Sequence, residues 1–252
     1  VDRGVIIDVE TTGLDAATDS IIEIGVVEFV RGASADQVQV AAVYSGLQDP
    51  GRPLTAEIVK LTGLTDEMLA GRRIEWGFVT KILADASIVI AHNAEFDTRF
   101  LLRVPELQSL NLHWACSLRH IDWDSKGFKT KKLTYLAADA GFVNPFPHRA
   151  VFDCCTTLRL VTPYLDELVR NSYQREIRIL AAQAPFESKD LLKARGYVWD
   201  AQQRVWWRVL GEDRMQEERE FLASQVYRPG CDGHIEQVLP PLGQMESNLI
   251  EG

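Results

Sequence analysis

Hydrophobic positions along this chain follow two spacings, and each switch between them marks an element. VIIDVETTGL (5–14) opens at strand spacing, and DSIIEIGVVEFVRG (19–32) and DQVQVAAVYSG (36–46) repeat it between Asp, Ser and Gly breaks. They predict a three-strand meander over residues 4–46. Helical spacing then takes over. LTAEIVKLTGLTDEMLAG (54–71) carries a Thr at a cap position and a Gly at an end, and WGFVTKILADA continues the period. SIVIAHN (87–93) is a short apolar strand running into NAEFDTRFLLR, where Asn93 can cap a helix. LHWACSLRHI reads as a weak strand and loop, and TKKLTYLAADAG as a helix with a glycine stop. The stripe Val151, Cys154, Leu158, Val161, Leu165 and Leu168 is helical, kinked or ended by Pro163. A meander followed by alternating helices and strand predicts an α/β sheet with helices packed on it, spanning residues 1–172.

From residue 173 the pattern restarts as REIRILAAQ, ESKDLLKAR, YVWDAQQRVWWRVL and EDRMQEEREFLASQ. This order predicts a small α+β module of β-α-β-β-α type over 173–228. The remainder, 229–252, has Pro and Gly without a period and is expected to be extended or disordered.

Composition narrows the class. A chain of 252 residues, 46% hydrophobic, can bury one large core and a small extra module. No apolar run reaches the roughly 18 residues of a membrane span and no leader pattern precedes the first strand, so a soluble, cytoplasmic protein with no membrane partner is expected. The start at Val1 leaves room for a lost segment. Four cysteines without a CxxC pair favour a reducing compartment, and CDGH (231–234) lacks the second pair a zinc site needs. A net charge of −9 argues against a broad basic coat for nucleic acid while permitting a local basic groove.

The first strand poses the chemical question. Side chains alternate along a strand, so Ile6, Asp8 and Glu10 share one face and Val5, Ile7 and Val9 the other. Two like charges near a core need a cation opposite them. A solvated, ion-paired strand face would explain this pair alone. Two further acids occupy places where sheet chemistry sits: Asp97 in the first helical turn after strand 87–93, and Asp153 near the start of the later helix. Either one alone reads as an ordinary dipole or capping residue. His148 precedes Asp153 by five positions, about 140° round a helix, so the two converge only if His148 lies on the loop entering it, as Pro145 and Pro147 suggest.

DVETTGL, HNAEFD and HRAVFD, in that order, make the chain resemble the DEDDh exonuclease superfamily of the ribonuclease-H-like fold, which includes the proofreading epsilon subunit of bacterial DNA polymerase III. The resemblance covers roughly residues 4–170. It implies a ribonuclease-H-like mixed sheet flanked by helices and 3′→5′ hydrolysis from the free 3′ end of a nucleic acid, releasing nucleoside monophosphates. It also implies two divalent cations, Mg²⁺ or Mn²⁺, which suit hard oxygen ligands and serve phosphoryl chemistry when roughly 3.5–4 Å apart. In this resemblance Asp8 bridges both ions, Glu10 and Asp153 complete the nucleophile-side ion, and Asp97 helps hold the leaving-group ion. His148 is the general base. Thr11, Thr12, Gly13 and Leu14 would cradle the terminal nucleotide, with His92 and Asn93 nearby. Thr62 stands where many relatives have a pocket-lining His, which puts pocket details in doubt.

Two basic features remain. Lys126, Lys129, Lys131 and Lys132 in SKGFKTKK form either a solvated loop or a phosphate contact. In RVWWRVL, Arg204, Trp206 and Arg208 share one face and Val205, Trp207 and Val209 the other. The Val/Trp/Val face is expected as the module's core, and the Arg/Trp/Arg face either binds nucleic acid or docks on protein. DNA is the favoured substrate, and DNA replication or repair proteins are conceivable partners. The alternatives are an RNA enzyme resembling ribonuclease T or oligoribonuclease, and a non-catalytic accessory subunit using the fold as scaffold.

Overall fold

A computed structural model of the chain describes residues 2–32, 37–227 and 233–244. Strands β1 (Arg3–Thr11), β2 (Ile21–Arg31) and β3 (Val38–Leu47) form the meander, each antiparallel to the next. β1 then pairs in parallel with β4 (Val89–Ala91), and β4 with β5 (Trp114–Cys116), giving a mixed sheet of order β3-β2-β1-β4-β5. Between β3 and β4 run α1 (Ala56–Thr62), α2 (Asp66–Leu69) and α3 (Trp76–Ala84). The single helical stretch read over 54–71 is broken because Gly63 turns left-handed at φ 71° and Thr65 caps a fresh start.

The alternation along β1 sorts the core into two layers. Val5, Ile7 and Val9 pack with Val79 of α3 and with Ala94 and Phe100 of α4 (Ala94–Leu101). Ile6 packs on the other side with Leu136 of α5 (Leu133–Asp139), Cys154, Leu158 and Val161 of α6 (Ala150–Val161), and Leu165 and Leu168 of α7 (Leu165–Ser172). Each such aliphatic side chain contributes about 1.5–3 kcal/mol, so the strand that carries Asp8 and Glu10 is clamped from both faces. Pro163 sits in the 3₁₀ turn Thr162–Tyr164 that separates α6 from α7, the break its ring imposes.

The second compact unit, Tyr173–Pro241, holds β6 (Glu176–Ala181), α8 (Lys189–Ala194), β7 (Val198–Asp200), β8 (Val205–Gly211), α9 (Met215–Phe221) and β9 (His234–Val238). Its antiparallel sheet has the order β7-β8-β6-β9. Two expectations are corrected here. The tail over 229–252 is not uniformly unstructured, because β9 pairs with β6 from Ile177↔Val238 to Ala181↔His234. Cys231 of the CDGH motif lies outside the described residues. The faces of β8 are also reversed: Trp206 and Leu210 join Ile177, Ile179, Leu192 and Met215 in the unit's core, while Val205, Trp207 and Val209 lie on the sheet's other face. Among the described residues no helix is long and apolar enough to cross a membrane.

Candidate active site

β4 is short and ends at Ala91, so the β1 backbone beyond Ile6 loses its parallel partner. The Val9 N–H that would face it donates instead to Asp97 Oδ1 at 3.1 Å, which draws the start of α4 to the end of β1. On the other side of the sheet Gly25 lies opposite Asp8, and a Cβ there would run into the backbone of Ala150 and Val151. This glycine lets α6 approach closely, with Cys154 Sγ 3.2 Å from the Gly25 carbonyl, and so brings Asp153 beside the β1 acids. His148 lies on the loop entering α6, left-handed at φ 60°, and its N–H donates to Asp153 Oδ2 at 3.0 Å.

The electrostatics record the convergence. Burial pushes the Asp8 carboxyl well above the usual range, and Asp97, Asp153, Glu10 and Glu23 push it further. Glu10 rises to about 8, through burial first and then Asp153, Glu23 and Asp97, with Arg149 opposing. Asp97 is raised by burial against the restraint of the Val9 N–H, and Asp153 rises to about 6 through burial, restrained by His148 and Asn144. Ligand atoms of Glu10, His148 and Asp153 lie within 4.8 Å of one another. Carboxylates crowded until each disfavours the others' charge, with one imidazole at the rim, are a donor set that a hard divalent cation fits and would relieve.

Sequence reading missed three residues here. Glu23 is fully buried, directly opposite Glu10 in the β1–β2 register, and ion-paired with Arg149 at 3.0 Å. Asn144 is buried and donates from Nδ2 to Asp153 Oδ1 at 2.5 Å. A polar residue inside the apolar run IIEIGVV was the available signal for Glu23. Arg149 and Asn144 gave none.

The structure distributes the remaining candidates unevenly. Thr11 donates to the Gly13 carbonyl at 2.5 Å, and Thr12 donates to Asp19 at 2.9 Å while accepting from Arg52 at 2.8 Å. At Gly13 a Cβ would meet the Asp19 carboxylate, so a larger residue there would have to displace it. Leu14 projects from it, 83% exposed. Thr62 is buried and its hydroxyl is satisfied locally, donating to Ile58 O at 2.9 Å and accepting from Leu64 N–H at 3.1 Å. Asn93 precedes α4 in a left-handed conformation and its side chain makes no capping bond, contrary to expectation. Burial lowers His92 to about 4; its neutral ring donates from Nε2 to Lys131 O at 2.8 Å and accepts at Nδ1 from Ser117 at 2.7 Å. Of the four lysines, Lys126 pairs with Glu167 at 2.5 Å and Lys131 with Asp124 at 3.4 Å, while Lys129 and Lys132 are exposed. In the second unit Arg208 is spent on Glu218, and Arg204 sits in the hairpin turn at φ 53°.

A family model described as Exonuclease matches residues 5–161. The chain belongs to this exonuclease family. Its nuclease unit is similar to the PolC-type DNA polymerase III of Bacillus subtilis, 31% identical over 180 residues, covering 68% of this chain and 12% of that one. The Pediococcus pentosaceus homologue is 33% identical over 171 residues, covering 65% and 11%. The chain therefore spans about a tenth of the length of these relatives. Among solved structures, an E. coli ExoI–ssDNA complex in zinc-bound form aligns with a TM-score of 0.55 at 14% identity, over 71% of this chain and 48% of that one. The nuclease domain of 3′hExo, a DEDDh family member bound to rAMP, aligns with a TM-score of 0.50 at 17% identity, over 66% and 92%. These likenesses are to the exonuclease fold, a ribonuclease-H-like mixed sheet flanked by helices.

Proposed function

We propose that the chain is a 3′→5′ exonuclease, dependent on two divalent cations, that shortens nucleic acid, DNA in preference, to nucleoside 5′-monophosphates. The observation carrying this reading is the gathering of Asp8, Glu10, Asp97 and Asp153 at the end of β1 with His148 beside Asp153. The four carboxylates would hold Mg²⁺ or Mn²⁺, which when bound activate water and neutralise charge developing on the phosphate and the leaving oxygen. His148, exposed at the rim, takes the proton from the attacking water. Its left-handed backbone and N–H bond to Asp153 fix where the ring starts. The Thr11–Leu14 turn, braced by Asp19, receives the terminal nucleotide, with Leu14 free to stack on its base. Likeness to PolC-type DNA polymerases and to a DNA-bound exonuclease supports DNA, and it is consistent with replication or repair proteins as partners. A neighbour bound to rAMP keeps RNA as the second reading.

One assay decides: 5′-labelled and 3′-labelled DNA and RNA, single- and double-stranded, with Mg²⁺, Mn²⁺ or EDTA. Metal-dependent release of 5′-mononucleotides from the 3′ end, lost in Asp8→Ala, is the expected result. Inactivity on every substrate would overturn it in favour of a scaffold role.

A further inference from the structure

Cations of the second unit meet carboxylates, aromatic rings or both, Arg195 lying 4.7 Å from the Phe221 ring centroid as well. Arg195 pairs with Glu217 at 2.6 Å and Glu218 at 3.2 Å, Arg208 with Glu218 at 3.1 Å, and Arg219 with Glu236 at 2.6 Å. Lys189 and Lys193 instead face aromatic rings: Lys189 Nζ is 4.4 Å from the Phe186 ring centroid and Lys193 Nζ 6.0 Å from that of Trp206. Among the described residues neither lysine has a carboxylate within ion-pair distance. They stand one turn apart on α8, about 6 Å along its axis. Trp206 in turn meets Trp199 at 5.3 Å between centroids, across the β7–β8 pair.

Phe186, Lys189, Lys193, Trp206 and Trp199 thus form a strip in which two ammonium groups stand between a phenyl ring and an indole pair. Core packing accounts for Trp206 but not for its neighbours, because Phe186 is 76% exposed and Trp199 46% exposed. Large aromatics kept in water beside cations without carboxylate partners have the two properties a single strand needs, a π-face for each base and a positive charge for each phosphate. Two lysines one helical turn apart suit neighbouring phosphates. An apolar protein partner would leave both ammonium groups without a counter-charge.

We propose that this strip, carried by the second unit, binds single-stranded nucleic acid without sequence preference. The proposal rests on the nucleic-acid reading of the nuclease unit. It replaces the Arg204/Trp206/Arg208 face read from the sequence, since Arg208 is committed to Glu218.

The test uses the full chain carrying Asp8→Asn, in EDTA, with a fluorescent 20-mer of thymidylate read by anisotropy at several salt concentrations. Lys189→Ala/Lys193→Ala is expected to weaken binding about tenfold and to flatten the salt dependence by one to two phosphate contacts. Trp199→Ala is expected to weaken it about tenfold through lost stacking, and Trp199→Phe to restore most of the affinity. Thermal melting confirms that each variant is folded. Unaltered affinity in both alanine variants overturns the proposal, as does an equal loss of binding to polyglutamate or to anionic vesicles. Strand binding that depends on the strip in a chain with no turnover on any substrate would uphold the strip and sink the nuclease reading instead.

Discussion

Arg149 and Glu23 are joined through both arms of their side chains, Nη2 to Oε1 at 3.0 Å and Nε to Oε2 at 3.1 Å, across 126 positions of sequence. Glu23 Oε2 also accepts the Ala150 N–H at 3.2 Å, so one buried carboxylate fixes the first residue of α6 and the residue after His148. Removing Arg149 leaves the buried Glu23 carboxylate uncompensated among four other acids, and removing Glu23 frees Arg149 and the Ala150 N–H. Glu23→Ala and Arg149→Ala should each cost about 3 kcal/mol, and the double variant clearly less than the sum. Urea denaturation of the four proteins measures the coupling.

His148 tests the assignment of chemistry against ligation. His148→Ala should lower kcat by about 10²–10⁴-fold, the usual worth of a general base, while calorimetric Mn²⁺ affinity stays within a few-fold of wild type. A parallel loss of Mn²⁺ binding would make His148 a ligand instead, as its place within 4.8 Å of Glu10 and Asp153 allows.

The acid cluster sets a pH dependence with a definite sign. Glu10 at about 8 and Asp153 at about 6 both lie above their ordinary values, so without a cation the fold favours their protonated forms. Their contribution is fully present below the ordinary carboxylate range and is lost as pH rises through 6 and then 8. A divalent cation binds the deprotonated forms and reverses this loss. The melting temperature in EDTA should therefore fall between pH 5.5 and 8.5, and the gain from Mg²⁺ or Mn²⁺ should grow over the same interval.

His92 ties the lysine loop to the end of β4 through its two ring bonds. His92→Ala should cost about 1–3 kcal/mol, by stranding the Ser117 hydroxyl and the Lys131 carbonyl. Faster amide exchange over residues 125–132 would locate the damage. Because its folded value is lowered to about 4, the stability it supplies is complete above the ordinary histidine range and fades as pH falls through 4.

Much of the first unit was legible because its devices are periodic. Alternation placed Asp8 and Glu10 on the face of Ile6, and Pro145 and Pro147 put His148 on a loop, where it lies. What escaped was set by contacts distant in sequence. Hydropathy marks Glu23 as a solvated residue, because its neutralising Arg149 is reached only after the sheet and α6 have assembled. In β8, alternation sorted the side chains into two sets without showing which set α8 and α9 would cover. Arg208 made the covered face look wet, but its charge is balanced by the buried Glu218 of α9. Asn93 stands where a cap was read, but a residue type that can cap need not do so, and its side chain makes no capping bond.

β9 decides where this chain can be cut. Ending it after residue 228 would remove the strand that runs along β6 from Ile177 to Ala181 and leave that strand as a raw sheet edge. Such an edge recruits other strands, so a shortened protein would be prone to self-association. Any comparison of full and shortened forms would then mix the loss of a binding surface with the gain of a sticky one. Point substitutions on the strip leave the edge closed, and they separate the two effects.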